Sequence, residues 1–263
     1  MLKNDDELDK DSSEKITKNI ENEVTDKKEM SFTAHLEELR QAIIISISAL
    51  VLSSGLCFYF YNKLIDLLTA PLTNNIKNVE LIFTSPAEAF TATLRACIIT
   101  GLIIASPVIL NRLYWFISPG LTKKEKKYSF PLLFLSYFLF IIGILFSYYL
   151  MLPFGVKFLV EFAPTNIKPM ISIGNYISFS TTLVLATGLI FQLPLLLIFL
   201  SFVKILNAEK LIKNRRFAFL GSFVVGAIVT PSVDMITQCI LAFALYSLYE
   251  ISIFIIKRFE KNS

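Results

Sequence analysis

From residue 42 onward the chain runs as long apolar stretches separated by short polar breaks. A helix that crosses a bilayer needs ~20 mostly apolar residues. Six stretches are candidates: 42–60; about 91–116, uncharged from 96 to 111; a run within 128–156; a run within 169–203, beginning near Tyr176; 217 to about 229; and 235–256. They are too long for membrane strands and do not alternate polar with apolar as a barrel does. No repeat of 20–50 residues is present. The pattern predicts an all-α integral membrane protein with six transmembrane helices.

The fifth run is short. Its 13 residues before the Thr230–Pro231 break rise only ~20 Å, against a ~30 Å hydrocarbon core. The sixth follows after "TPSVD", so helices five and six are expected as a short hairpin that thins the bilayer or leaves a recess beside it. The other reading starts the fifth helix earlier, with Arg215 and Arg216 snorkelling to the interface.

Composition agrees. Of 263 residues, 54% are hydrophobic and 17% charged, whereas soluble domains carry ~25% charged residues. Residues 1–40 have net charge −5 and residues 41–263 net +9. The basic residues lie between apolar spans rather than on one face, which argues against a nucleic-acid partner. Cys57, Cys97 and Cys239 all fall inside apolar runs, with no C-x-x-C spacing, and read as packing residues.

Lys and Arg also set the expected direction. With an even number of spans and the N-terminus inside, and counting from Lys27 with Arg112 near an inner end set aside, fifteen of them fall on the inner side and five on the outer. Both termini are therefore expected on the cytoplasmic side. The tail, 1–30, is acidic and polar with no apolar core; it reads as disordered rather than as a signal peptide. The expected organisation is that tail, a six-helix domain over 31–258, and a cytoplasmic C-terminal tail over 259–263.

Enzymatic motifs are missing. There is no G-x-x-x-x-G-K-[ST], H-E-x-x-H or G-x-S-x-G, and there is one histidine, His35. That excludes a Walker-type ATP site and the usual zinc or serine–histidine chemistry. No cofactor is expected. A small-solute or ion transporter should carry ionisable groups near midplane. Here the midplanes are almost uncharged, although Pro107 and Pro194 interrupt spans. A structural membrane scaffold is the remaining alternative.

A few polar residues stand out. "HLEELR" at 35–40 sets Leu36 and Leu39 at helical spacing with Ile43, and presents Glu38 on another side at the membrane surface. Glu37 and Arg40 are three apart and can pair, for ~0–1 kcal/mol. Glu125 is a lone acid among Lys123, Lys124, Lys126 and Lys127; it reads either as charge balance or as an acceptor kept ionised by its neighbours. Gln192 precedes Pro194, which frees the carbonyl of Ile190. Its amide either satisfies such a group or marks a polar spot facing a recess.

Six stretches together resemble the TatC family, the multi-spanning core of the twin-arginine (Sec-independent) protein translocase: "SFTAHLEELR" at 31–40, "APL" at 70–72, "TSPAEAF" at 84–90, "SPVILNRLYWFISPGL" at 106–121, "FQLP" at 191–194 and "VVGAIVTPSVDMITQ" at 224–238. The resemblance runs from about Ser31 to about Arg258.

It implies transport of folded proteins carrying a twin-arginine signal peptide, driven by the proton-motive force, across a bacterial inner or thylakoid-type membrane. Carried over, Glu38 and Glu125 accept the arginine pair, and Arg40 and Phe116 shape the site. Pro71 lies in the first outer loop. Thr230 and Gln238 flank the turn where single-span TatA/TatB-like subunits dock, and Asp234 sits in that turn. Copies of the chain itself and membrane lipid complete the implied partners. The family carries Glu or Gln at the place of Gln192; the amide present here hydrogen-bonds but does not titrate as a carboxyl would.

Overall fold

A computed structural model describes residues 36–74, 76, 80–117, 123–162, 169–202, 205–230 and 234–260. The acidic tail falls outside the described residues. The chain divides into two compact units, Met1–Ile45 and Ser46–Ser263. In the first, residues 36–45 form the opening turns of helix α1, Leu36–Tyr59.

The second unit is a helical bundle. After α1 come α2 (Tyr61–Thr73), strand β1 (Glu80–Ile82), α3 (Pro86–Ile117), α4 (Lys123–Phe146), a π-helical turn (Ser147–Met151), α5 (Leu152–Glu161) and strand β2 (Met170–Ser172). Then follow α6 (Ile173–Ile190), α7 (Leu193–Phe202), α8 (Ala208–Lys213), α9 (Arg215–Val229) and α10 (Met235–Glu260). Among the described residues, five helical stretches are long and apolar enough to cross a membrane: Leu36–Tyr59, Pro86–Phe116, Pro131–Glu161, Ile173–Phe202 and Met235–Glu260. The remaining predicted span, the fifth, is α9, with 15 residues. It starts at Arg215, as the earlier-start reading expects.

One expectation is corrected. The last helix is not short: α10 has 26 residues, or ~39 Å. Its last turn carries Lys257 and Arg258, so the helix runs out of the apolar run and into the interface. The hairpin is asymmetric, with the short α9 held against α10 by the Arg215 Nη2–Glu250 Oε2 pair at 2.8 Å. Tyr246 donates to the other Glu250 oxygen at 2.9 Å.

Two elements were not expected. Strands β1 and β2 pair in parallel, with Glu80 opposite Met170 and Ile82 opposite Ser172. The stretch after the first span is a helix, α2, that buries Leu64, Leu68 and Leu72 at a four-residue spacing that keeps them on one stripe.

The core has three parts. Leu64, Leu68 and Leu72 pack with Ala96, Cys97, Tyr176 and Ile177. Met151 and Leu152 meet Leu183, Phe191, Leu241 and Leu245. Ile198, Leu211, Ile253 and Ile256 form the third. The first cluster also takes in Cys57, and all three cysteines are free thiols. Near it α1 and α3 touch through small residues. A Cβ on Gly101 would lie 2.8 Å from the Ser54 backbone, and Ser53 Oγ donates to the Gly101 carbonyl at 2.8 Å.

Prolines inside helices leave carbonyls without their usual donor, and hydroxyls fill two of these gaps. Pro107 frees the Ile103 carbonyl, which accepts from Ser106 Oγ at 2.6 Å. Pro71 frees the Leu67 carbonyl, which accepts from Tyr148 Oη at 2.7 Å.

Candidate functional site

The helix start that opens α1 carries Glu37, Glu38 and Arg40, all exposed. Arg40 Nη1 lies 3.5 Å from Glu37 Oε2, a long, exposed i,i+3 pair of little strength. Glu38 points to another side of the helix, as the spacing predicts. His35 lies outside the described residues. Phe116 is partly buried in the last turn of α3. Glu125 falls in the first turn of α4, and its side chain lies outside the described residues. Glu38 and Arg40 belong to the first unit, Phe116 and Glu125 to the second.

Gln192 occupies the break between α6 and α7, one residue after the last residue bonded in the α pattern. Its amide is engaged twice by a single residue of α4. Oε1 accepts from Ser136 Oγ at 2.8 Å, and Nε2 donates to the Ser136 carbonyl at 2.9 Å. The amide thus ties α4 to the kink instead of capping the Ile190 carbonyl. A carboxylate could accept the first bond but not donate the second.

At the α9–α10 turn, Thr230 is buried and its hydroxyl donates to the Gly226 carbonyl at 2.9 Å. Asp234, only 2% exposed, caps α10: its Oδ1 accepts the Thr237 N–H at 2.7 Å, the usual work of an aspartate at a helix start. Gln238 is half-buried, and its Nε2 donates across the hairpin to the Phe223 carbonyl at 3.2 Å. The structure therefore brings Thr230, Asp234 and Gln238 together in one hairpin end.

Pro71 is placed differently from the expectation. It is buried inside α2, not in a loop. The loop placement came with the family resemblance; here Tyr148 donates to the Leu67 carbonyl that the proline ring leaves open, so the helix runs through Pro71. Pro71 also lines a cavity of about 490 Å³ with Asn74, Tyr148, Tyr149, Phe154 and Lys157.

The sequence reading missed Glu88. One of its oxygens accepts from the Thr84 N–H at 2.6 Å and the Thr84 hydroxyl at 2.5 Å. The other accepts from Ser172 Oγ and from the Gly174 N–H, the latter at 2.9 Å. This carboxylate joins the start of α3 to the start of α6, beside the β1–β2 ribbon. Gly174 must be glycine for it: a Cβ there would lie 2.6 Å from Glu88 Cγ. The signal was present in Ser85-Pro-Ala-Glu88. Ser, then Pro at the first helical position, then Glu two residues on is a helix-start pattern in which the acid reaches back to an unpaired N–H.

A sequence profile for the family described as Sec-independent protein translocase protein (TatC) matches residues 34–243. This chain belongs to the TatC family.

Relatives agree along nearly the whole length. The TatC protein of Carboxydothermus hydrogenoformans is 37% identical over 230 residues, covering 88% of this chain and 94% of the relative. That of Aquifex aeolicus is 40% identical over 228 residues, 86% of this chain and 94% of the relative. The chloroplastic TATC of Pisum sativum is 38% identical over 224 residues, 85% of this chain and 63% of the relative. A crystal structure of a twin-arginine translocase receptor, TatC, superposes with a TM-score of 0.74 at 41% identity, covering 85% of this chain and 98% of that one. This TatC protein is thus a multi-pass membrane component of the Sec-independent protein translocase, a transport subunit rather than an enzyme.

Proposed function

We propose that this TatC chain is the receptor of the translocase. It binds twin-arginine signal peptides at its cytoplasmic face through Glu38 and Glu125, with Arg40 and Phe116 shaping the site. The observation that carries this reading is the run of carboxylates at the helix start, set directly ahead of an apolar span. A signal that is cationic first and apolar second needs that order of contacts. An arginine fork pairs bidentately with a carboxylate, whereas lysine offers a point charge. The ion pairs then set specificity, and the apolar contact supplies much of the affinity.

In this reading both termini lie on the cytoplasmic or stromal side, as the excess of basic residues there supports. The proton-motive force supplies the energy, in keeping with the missing ATP motif. Single-span TatA/TatB-like subunits dock on the α9–α10 hairpin near Thr230 and Gln238, and copies of the chain assemble in the receptor complex. Gln238 uses Nε2 within the hairpin, so its Oε1 is the atom offered to a partner helix. Such a bond adds ~0.5–2 kcal/mol. Asp234 holds the hairpin start, and Pro71 keeps the α2 end in place.

The test is export of a twin-arginine cargo by Glu38→Ala and Glu125→Ala variants made at wild-type abundance. Loss of export with the protein retained is expected. Normal export by both variants would overturn the reading.

A further inference from the structure

We propose that Arg95 and Thr182 form a binding site for the phosphodiester of an anionic lipid, in the leaflet that meets the Pro86 end of α3. Arg95 lies within the apolar span Pro86–Phe116, nine residues in from its start, and is exposed. No other charge interrupts α3 until Arg112. The two arginines are thus ~25 Å apart along the axis, less than the ~30 Å hydrocarbon core. With the two arginines placed evenly, the Arg95 backbone lies within a few Å of the core edge at the Pro86 end, and its side chain reaches toward the headgroups.

Nothing within the described residues neutralises it. Its hydrogen bond goes to Thr182 Oγ1 on α6, at 3.0 Å. A guanidinium has five donors, so most of its fork is left for an outside acceptor. The acid on the same helix face is Glu88, seven residues back, and its two oxygens are taken by Thr84, Ser172 and Gly174. An intramembrane arginine without an acid calls for an external anion.

The surface around it fits a headgroup. Asn175 and Ser178 precede Thr182 by seven and four residues on α6, so the three share one helix face. Asn175 is exposed, and Ser178 and Thr182 are partly exposed. This line of amide and hydroxyl groups climbs from the Arg95 guanidinium toward the membrane surface, where phosphate oxygens lie. The planar fork matches two oxygens of one phosphodiester. Charge complementarity and this depth favour a lipid over a carboxylate on a partner helix.

The experiment is native mass spectrometry of the full chain in detergent, titrated with phosphatidylglycerol. Wild type is compared with Arg95→Gln, Arg95→Lys, Thr182→Val and, as a control at the far end of α10, Arg258→Gln. Arg95→Gln should weaken the tightest lipid about tenfold, as loss of a charge-assisted hydrogen bond implies. Arg95→Lys, which keeps the charge, and Thr182→Val should each weaken it about threefold, since fork geometry and the hydroxyl are each part of the site. Arg258→Gln should leave it unchanged. Wild-type binding by Arg95→Gln, or an equal loss in Arg258→Gln, would overturn the proposal. Should Arg95→Gln not fold, unchanged binding by both Arg95→Lys and Thr182→Val overturns it. Unchanged lipid binding with loss of co-purified single-span subunits assigns Arg95 to a protein contact instead.

Discussion

Tyr148 donates a hydrogen bond to the carbonyl of Leu67 at 2.7 Å, the one acceptor in α2 that Pro71 leaves open. The bond joins α2 to the π-helical turn between α4 and α5. Tyr176 makes a parallel contact, donating to the Leu68 carbonyl at 2.9 Å. Pro71 matters in this account through the carbonyl it frees as much as through its ring. Tyr148→Phe should cost ~1 kcal/mol. In a Pro71→Ala background the helix supplies its own N–H donor, so the same change should cost less by at least ~0.5 kcal/mol. Thermal unfolding of the four proteins in detergent measures this coupling. Strict additivity would show that the two residues act separately.

Glu88 binds the chain on both sides of the ribbon, so Glu88→Ala should loosen both. The substitution removes a charged acceptor that serves four donors. Amide exchange at Leu81 and Ile171, which face each other across the ribbon, should speed up together. Gly174→Ala should give the same signature by displacing the Glu88 side chain. Unchanged exchange in both variants would contradict the account.

Gln192 and Ser136 act as a reciprocal pair. Gln192→Leu should lower stability by ~1–3 kcal/mol, because in the bilayer Ser136 Oγ loses its acceptor and the Ser136 carbonyl its second donor. Ser136→Ala should then add little in the Gln192→Leu background. A Gln192→Glu variant keeps the acceptor but not the donor, and should fall between wild type and Gln192→Leu. The unfolding midpoints of these three variants and wild type decide it.

Thr237 is fully buried, and its hydroxyl has no hydrogen-bond partner among the described residues. Thr237→Val keeps the shape and removes the orphan group, so stability should be unchanged or rise by up to ~1 kcal/mol. Gly155→Ala should do the opposite. Its Cβ would lie 2.4 Å from Thr237 Cγ2, and such overpacking costs ~1–3 kcal/mol. A destabilised Thr237→Val would mean that the hydroxyl has a partner in the membrane.

How much of this was legible in the sequence depends on the length scale. The long spans were, because ~20 apolar residues in a row have few other uses. Their ends were less so. The helix Pro86–Ile117 starts five residues before the predicted run, since Thr84 to Phe90 reads as polar until Glu88 is seen to reach back. Helix α2 was hidden because Asn62, Lys63 and Asp66 dilute its apolar stripe and Pro71 argues against a helix. The β1–β2 ribbon has three residues a side, too few for any period to show, and its partners are far apart in sequence. The hairpin residues Thr230, Asp234 and Gln238 were found as a group, but not the bonds they make. What Gln192 does depended on Ser136, 56 residues away, which no local pattern connects to it.

The receptor claim is tested most directly by binding a twin-arginine signal peptide to the purified chain in nanodiscs. The Arg-Arg peptide is compared with a Lys-Lys version, and with Arg-Arg on a Glu38→Ala, Glu125→Ala double variant. The account predicts that Arg-Arg binds wild type, and that the other two combinations lose most of that affinity. Equal binding in all three would mean that the contact is apolar only, and that the charged start of α1 is a solvated helix end.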